Sequence, residues 1–405
     1  MLFYFLLPFW LTISCIAAQP AAPVAPIATE LKAVYLTWGS PDTSSQITIN
    51  VLTLQKADSV EIIFNEMSEK ISRHKELKDT PFHLYTFDFK NLAPKKNYNF
   101  QVILNGKPVK AAYKFTTLPN DDTPIEIVSG GDLSPHEDVV SVAKQAVTKN
   151  TMALFLGGDL AYEDGNPKRY ELWLQLWDLL NQAMISPDGR LLPLVVAIGN
   201  HETNKTKTSN PKEKAPFYFL FFEQNEQLTY FTRHFGKHTS LITLDTGHVA
   251  DHDEQQEKWL KKELKRDVKI PNLLALYHVP LYPSFRPYDD KKSVKGRKAW
   301  LPLFDEYQLD VAFENHDHAL KRSKMLKNEK IVSKNGTLYV GDGAWAVAPR
   351  PAAPDRWYLQ MAKVEKHLWR VLASPKKLSF QAINKKGQIL DSFTLKNGSV
   401  IPYEQ

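Results

Sequence analysis

Beyond residue 120, five apolar runs of strand length follow one another, and each ends on polar residues of metal-binding type. The five endings read Gly130-Gly131-Asp132, Gly157-Gly158-Asp159-Leu160-Ala161-Tyr162, Gly199-Asn200-His201-Glu202, Tyr277-His278 and Asn315-His316-Asp317-His318. Segments with helical spacing of apolar residues lie between the runs, at 136–149, 169–185 and 253–267. This alternation predicts an α/β domain, in which sites collect at the carboxyl ends of strands. One strand-terminal aspartate is often only a helix cap, but five such endings in succession indicate a shared site.

The donor groups at these strand ends are carboxylates, an amide, a phenol and imidazoles, without a thiolate. Oxygen and imidazole donors favour iron, zinc or manganese over a structural cysteine-zinc site. Because one metal rarely needs as many as seven candidate ligands, the set predicts two metals that share a bridging carboxylate. Two-metal sites serve hydrolysis at phosphorus, since they lower the pKa of a bound water and neutralise phosphoryl oxygens.

The region from Leu31 to Pro119 has the pattern of an all-β sandwich. Short apolar runs are separated there by turns rich in Pro, Asp, Ser and Lys. The spacing of Leu92, Pro94 and Tyr98 resembles the tyrosine corner of fibronectin type III and related sandwiches, in which the tyrosine hydroxyl bonds back to the preceding backbone. An unrelated β-domain with a chance Pro-Tyr spacing is the alternative.

The first 18 residues carry no charge and form a short apolar segment that closes on small residues. This pattern predicts a signal peptide, and therefore secretion or export to a periplasm. Cys15 is the single cysteine of the chain; a lipid anchor through it and an uncleaved anchor are the alternatives. Residues 19–30, rich in Ala and Pro, are predicted to be a linker.

Composition excludes several classes of protein. With 43% hydrophobic and 24% charged residues among 405, the chain is neither disordered, collagen-like nor a multi-span membrane protein. A net charge of +6, without a basic stripe that carries interleaved aromatics, predicts no nucleic-acid recognition. The basic runs at 291–298 and 321–330 are interpreted as solvated faces, and the oligomeric state is left open.

The order of these motifs (GD, GDxxY, GNHE, a strand-terminal histidine, HxH) resembles the purple acid phosphatases, within the calcineurin-like metallophosphoesterases. The N-terminal sandwich resembles the fibronectin III-like domain of the plant-type members. The resemblance implies a sandwich at 31–119, followed at 120–405 by a four-layer α/β/β/α domain with added C-terminal strands. It also implies an acid phosphatase that hydrolyses phosphomonoesters, with a metal-bound hydroxide attacking phosphorus in line.

The resemblance implies roles for individual residues. One metal, ferric iron, would be held by Asp132, Asp159, Tyr162 and His318. Asp159 would bridge to a second metal, Zn, Mn or Fe(II), held also by Asn200, His278 and His316. Tyr162 favours the purple branch, because Ser134 stands where most calcineurin-like enzymes have a histidine.

The residues expected to contact the substrate match the family pattern less completely than the metal ligands do. His201 follows a predicted ligand directly and is expected to contact the substrate and to protonate the leaving group; a role only in orienting Asn200 or another nearby group is the alternative. Asn200 is expected to contact the substrate as well. The histidine pair that plant-type enzymes carry after the fourth motif is missing from Tyr282–Tyr288, and Arg286 is the candidate phosphate contact there, or else a surface residue. Asn315 stands where glycine is usual.

Two other functions remain compatible with the sequence. A phosphodiesterase or nucleotide pyrophosphatase could use the same two-metal site. A catalytically silent protein that binds a surface through its sandwich is the third hypothesis, and the intact ligand set argues against it.

Overall fold

The computed structural model describes residues 30–64, 67–70, 73–109, 112–226 and 228–404. The predicted signal peptide, Cys15 and all of the predicted linker except Glu30 lie outside this range. None of the helices in the described residues is long and apolar enough to cross a membrane.

The N-terminal region consists of two antiparallel sheets. Its strands are β1 (Leu31–Thr37), β2 (Ile47–Thr53), β3 (Val60–Phe64), β4 (Met67–Lys70), β5 (Arg73–Glu76), β6 (His83–Phe89), β7 (Asn97–Leu104), β8 (Lys107–Pro108) and β9 (Tyr113–Thr116). One sheet has the order β1-β2-β6-β5, and the other has β4-β3-β7-β8 with β9 also paired to β7. The predicted all-β region is therefore confirmed.

The two sheets pack face to face through the alternating apolar residues of their strands. Leu36 and Ile49 from the first sheet share one buried cluster with Ile62 and Val102 from the second. The backbone N–H of Ala93 donates to the hydroxyl of Tyr98 at 2.7 Å. This is the backward hydrogen bond that the tyrosine-corner spacing predicts.

The remainder of the chain contains two seven-stranded sheets and their helices. The strands are β10 (Ile125–Gly130), β11 (Thr151–Leu156), β12 (Leu194–Val196), β13 (Phe231–Phe235), β14 (Thr239–Thr243), β15 (Asn272–Leu276), β16 (Val311–Phe313), β17 (Leu320–Ser323), β18 (Leu326–Lys327), β19 (Lys330–Ile331), β20 (Leu338–Gly341), β21 (Leu359–Lys363), β22 (Leu368–Ser374), β23 (Lys377–Ile383), β24 (Ile389–Lys396) and β25 (Ser399–Ile401). The α-helices are α1 (Asp138–Ala146), α2 (Glu171–Ala183), α3 (Pro211–Lys214), α4 (Pro216–Phe221), α5 (Gln255–Asp267) and α6 (Lys291–Tyr307), and Pro167–Arg169 forms a 3-10 turn.

The sheet order explains how the strand ends come together. One sheet runs β12-β11-β10-β22-β23-β24-β25, and the other runs β13-β14-β15-β16-β20-β17-β21. The neighbours β10, β11 and β12 are parallel, as are β14, β15 and β16. Strands β22 to β25 join the first of these sheets, and β21 joins the second.

The two sheets and the helices form four layers. Between the sheets, Ile127 and Phe155 pack in the same buried cluster as Leu274. On the outer face of the first sheet, Leu154 packs in a second cluster with Trp173 of α2. Because successive residues of β11 face opposite clusters, the strand reads as an unbroken apolar run. A third cluster joins the second sheet to α5 and α6, and the predicted α/β/β/α architecture is confirmed.

The interpretation of the two basic runs as solvated faces is wrong in part. The first run lies in α6, which the sequence analysis did not predict, and Arg297 is buried there. Lys321 is fully buried and forms ion pairs with Glu314 and Asp342, at 2.5 and 2.9 Å. A buried ammonium group is tolerated here because two carboxylates compensate its charge.

Candidate metal centre

The predicted ligands lie where the carboxyl ends of the two central sheets meet. The first sheet supplies Asp132, Asp159 and Asn200, which follow β10, β11 and β12. The second supplies His278 after β15 and the two histidines after β16. Side chains that are far apart in the sequence therefore converge across the interface between the sheets.

One group of donors surrounds the carboxylate of Asp132. Its Oδ1 accepts a hydrogen bond from the hydroxyl of Tyr162 at 3.1 Å and lies 3.0 Å from Nε2 of His318. The Tyr162 hydroxyl is also 3.3 Å from that same His318 nitrogen. The backbone N–H of His316 donates to Oδ2 of Asp132 at 2.9 Å and fixes the carboxylate in place.

A second group surrounds the carboxylate of Asp159. Nε2 of His278 is 3.0 Å from Asp159 Oδ2, 3.2 Å from Asn200 Oδ1 and 3.0 Å from His316 Nδ1. Ligand atoms of Asp159, His278 and His316 lie within 4.8 Å of one another, close enough to hold a metal ion. The Nδ1–H of His278 donates to the carbonyl of Gly157 at 2.9 Å, which leaves Nε2 directed at the other donors.

The charges of these groups favour a cation. Burial alone would lower the pKa of His278, but the carboxylates of Asp159 and Asp132 raise it to about 9. Burial and the same two carboxylates raise the pKa of Tyr162 well above its usual range. A phenolate at this position therefore requires a neighbouring cation, and the donor set fits metal ions.

Five of the seven predicted ligands adopt left-handed backbone conformations. Their φ angles are 57° at Asp132, 54° at Asp159, 61° at Tyr162, 76° at His316 and 56° at His318. Non-glycine residues adopt such angles uncommonly, and surrounding structure must hold them there. Left-handed residues of this kind cluster at functional sites in proteins, and here they cluster in the loops that carry the predicted ligands.

Glycines make room for the two carboxylates. A β-carbon at Gly199 would collide with Asp159, and one at Gly343 would collide with Asp132. Asn315, the departure from the usual glycine, packs against Gly131 and Gly157, where a β-carbon would also collide with it. Its Nδ2 donates to the carbonyl of Tyr277 at 2.9 Å, which fixes the Asn315 side chain between the two sheets' loops.

Comparison with known proteins finds a related family for this part of the chain. The family model of the calcineurin-like phosphoesterases matches residues 127–320, a range that contains all seven predicted ligands. Residues 127–320 are therefore similar to the calcineurin-like phosphoesterases.

The curated relatives of this phosphoesterase domain include purple acid phosphatases, so the resemblance that the sequence indicates is confirmed. A probable purple acid phosphatase 20 of Arabidopsis thaliana is 28% identical over 244 residues, 57% of this chain and 54% of its own. A purple acid phosphatase of Glycine max is 26% identical over 261 residues, 61% of this chain and 54% of its own. The chain thus spans about half the length of these curated relatives.

The similarity in fold extends further than the family match. The structure of the purple acid phosphatase PPD1 from yellow lupin (Lupinus luteus) seeds superposes with a TM-score of 0.76 at 18% identity, over 91% of this chain and 74% of that one. The agreement therefore includes the N-terminal sandwich as well as the phosphoesterase domain.

His201 lies beside the candidate metal centre. Its backbone N–H donates to Oδ1 of Asp159 at 2.8 Å, and its ring packs on that of Tyr162 with centroids 4.3 Å apart. Nδ1 lies 2.5 Å from Oδ1 of Asp164, while Nε2 lies 4.0 Å from Asp159 Oδ2. Asp164 was not predicted as a site residue, because nothing in its spacing distinguishes it from a turn residue.

Arg286 lies against the loop that carries His316. Its Nη1 donates to the carbonyl of His316 at 2.8 Å and to Asp317 Oδ1 at 2.7 Å. Arg350, which the sequence analysis missed, donates to the same carbonyl at 3.4 Å. The two arginines are brought together by the tertiary structure alone, since 64 residues of chain separate them.

Glu202 supports the loops from beneath. Its carboxylate accepts the backbone N–H groups of Asp159 at 2.8 Å, Leu160 at 2.7 Å and Gly199 at 2.7 Å. Burial and the charge of Asp159 raise the pKa of Glu202 to about 7. The sequence analysis quoted Glu202 within its motif without assigning it this role.

Proposed function

We propose that the protein is a dinuclear-metal phosphatase that hydrolyses phosphomonoesters. The observation that carries the proposal is the convergence of two donor groups, one around Asp132 and one around Asp159, beside the half-exposed imidazole of His201. The family of residues 127–320 supports the same reaction class. Export is part of the proposal and rests on the uncharged, apolar start of the chain.

Asp132, Asp159, Tyr162 and His318 would hold the first metal, Fe(III). Asp159, Asn200, His278 and His316 would hold the second, which is Zn, Mn or Fe(II). Two contacts of Asp159 support a bridging role. Its Oδ2 is 3.0 Å from Nε2 of His278, and its backbone carbonyl accepts from the N–H of Leu133, the residue after Asp132, at 3.0 Å. The two metals would supply an activated water and neutralise the charge that develops on the phosphoryl oxygens.

His201 would protonate the leaving group. Because Asp164 accepts from Nδ1–H, the other ring nitrogen, Nε2, is directed toward the metal centre and is free to deliver a proton there. A cavity of about 720 Å³ adjoins His201, with Asp164, Arg169, Asn204 and Lys205 among its lining residues. This space would accept the leaving group of the substrate.

Phosphate oxygens would be held by Asn200 and His201, with Arg286 as a third contact from the side of His316. The Arg286 side chain is 26% exposed, and its contact with Asp317 fixes the direction of the guanidinium group. An arginine would offer two parallel donors to a phosphate, unlike the histidine pair that plant-type enzymes carry after the fourth motif.

Metal analysis combined with a substrate panel tests the proposal. We expect about two metal ions per chain and faster hydrolysis of phosphomonoesters than of phosphodiesters or nucleotide pyrophosphates. Preference for diesters or pyrophosphates would assign the alternative activity. Two bound metals without turnover of any substrate would favour the silent binding protein.

The colour of the protein tests the ferric site. If Tyr162 binds Fe(III) as a phenolate, the purified protein will have a visible charge-transfer band, and Tyr162→Phe will abolish that band. Absorption spectra with iron quantification on both proteins provide the measurement. A colourless wild-type protein with full iron occupancy and full activity would contradict the assignment.

A further inference from the structure

A second cluster of metal-binding side chains lies on the N-terminal sandwich, away from the strand ends of the phosphoesterase domain. His74 and Glu76 belong to β5, and His83 belongs to the adjacent strand β6. In the antiparallel register, Glu76 is directly opposite His83, and His74 is opposite Tyr85. Because residues two apart in a strand share a face, all four side chains project from the same side of the sheet.

The distances within this cluster match a single coordination sphere. Nδ1 of His83 lies 3.4 Å from Nε2 of His74 and 3.4 Å from Oε2 of Glu76. In a tetrahedral zinc site, bonds of about 2.0–2.1 Å place neighbouring ligand atoms about 3.3–3.4 Å apart. Two of the three donor separations therefore already match those that a tetrahedral ion imposes, and all three donor groups have ligand atoms within 4.8 Å of one another.

The orientation of the imidazoles adds to this argument. The rings of His74 and His83 are nearly parallel, at 7°, and their centroids are 5.6 Å apart. The ring of Tyr85 stacks on His74 at 4.7 Å and limits its rotation. Two imidazole nitrogens lie 3.4 Å apart beside a carboxylate, within reach of one divalent ion.

We propose that His74, Glu76 and His83 bind a divalent ion of the zinc type. Two imidazoles and one carboxylate form a donor set that zinc accepts, with a water or an external group in the fourth position. The fourth position would face solvent, because the side chains of Glu76 and His83 are 62% and 18% exposed.

The ion would link the edge strand β5 to the neighbouring strand β6. β5 is the edge strand in the order β1-β2-β6-β5, and it pairs only with β6 in that sheet. An edge strand of four residues is held by few backbone hydrogen bonds, so a metal ligated from both strands would stabilise the pairing. This effect is independent of the proposed phosphatase reaction.

Zinc titration of the full-length protein, with its tightly bound metals in place, tests the proposal. Calorimetry and metal quantification should find one more Zn²⁺ per chain in the wild type than in His74→Ala or His83→Ala. Glu76→Gln, a conservative change at an exposed side chain, should weaken zinc binding by at least about 10-fold. Zinc should raise the Tm of the wild type and change it little in the histidine variants.

His136→Ala is the matched control, because His136 is half-exposed, lies 3.5 Å from the carboxylate of Asp138 and does not belong to the cluster of His74, Glu76 and His83. This control should keep the additional zinc. Equal zinc number and affinity in the wild type, His74→Ala and Glu76→Gln would overturn the proposal. Loss of the additional zinc in His136→Ala as well would also overturn it, since that result indicates unspecific surface binding. Phosphatase activity should stay unchanged in all these variants.

Discussion

Asp159→Asn is expected to remove most of the phosphatase activity and to lower occupancy at both metal positions. The physical reason is that one buried carboxylate would serve both ions, so its loss removes a negative charge and a ligand from each. We expect a loss of at least about 100-fold in kcat, because removing even a residue that only supports a ligand typically costs 10–100-fold. Metal quantification together with steady-state kinetics provides the measurement.

Asp132→Asn is the matched control for this prediction. Asp132 contacts Tyr162 and His318, whereas Asp159 contacts His278. Replacement of Asp132 should lower occupancy mainly at the first of the two proposed metal positions, whereas Asp159→Asn should lower occupancy at both. Loss of a single metal in Asp159→Asn would contradict the bridging role and leave the remaining ligand assignments to be tested separately.

His201→Ala is expected to lose on the order of 10²-fold or more on an alkyl phosphate, the usual range for general acid–base catalysis. An alkoxide is a poor leaving group, so the charge that develops on its oxygen needs a proton in the transition state. An activated aryl phosphate, whose leaving group is stable as an anion, should be affected appreciably less. The measurement is kcat/KM for both substrates, with metal content near that of the wild type.

Asp164→Asn sharpens this test, because it keeps the His201 imidazole but alters the group that orients Nδ1. Asp164→Asn should also lower kcat/KM more for the alkyl phosphate than for the aryl phosphate, but both losses should be smaller than in His201→Ala. Equal losses on both substrates in His201→Ala would indicate phosphate positioning or electrostatic stabilisation instead. Loss of metal would indicate that His201 supports Asn200 or another ligand.

Many of the strands and helices could be predicted from local patterns because each pattern has a local physical cause. Alternation at Tyr98, Phe100 and Val102 reflects a strand with one buried face, and the structure buries all three. Helices were expected at 136–149, 169–185 and 253–267, and α1, α2 and α5 lie within those ranges. Helix α6 was missed, because its first turn is rich in lysine and Pro302 lies inside it.

The candidate ligands could be proposed from the sequence because they occupy strand ends. Parallel strands bring their carboxyl ends to one edge, so the chemistry of those ends is readable before the fold is known. The contacts between individual ligand side chains could not be predicted from the positions of the strand ends. The packing of the two sheets against each other decides these pairs. It brings His278 to Asp159 and His318 to Asp132.

The sequence by itself determined which chemical groups are present, their order, and the all-β and α/β character of the two regions, since these depend on side-chain type and short-range periodicity. The four-layer arrangement was expected only from the resemblance to the purple acid phosphatases. Only the tertiary structure decided that Lys321 is buried between carboxylates, that Asp164 orients His201, and that Arg350 joins Arg286. It also decided that His74 and Glu76 meet His83, because a shift of one residue in strand register would turn one set of side chains to the opposite face. Such contacts depend on packing and register between distant segments, and no local pattern in the chain encodes them.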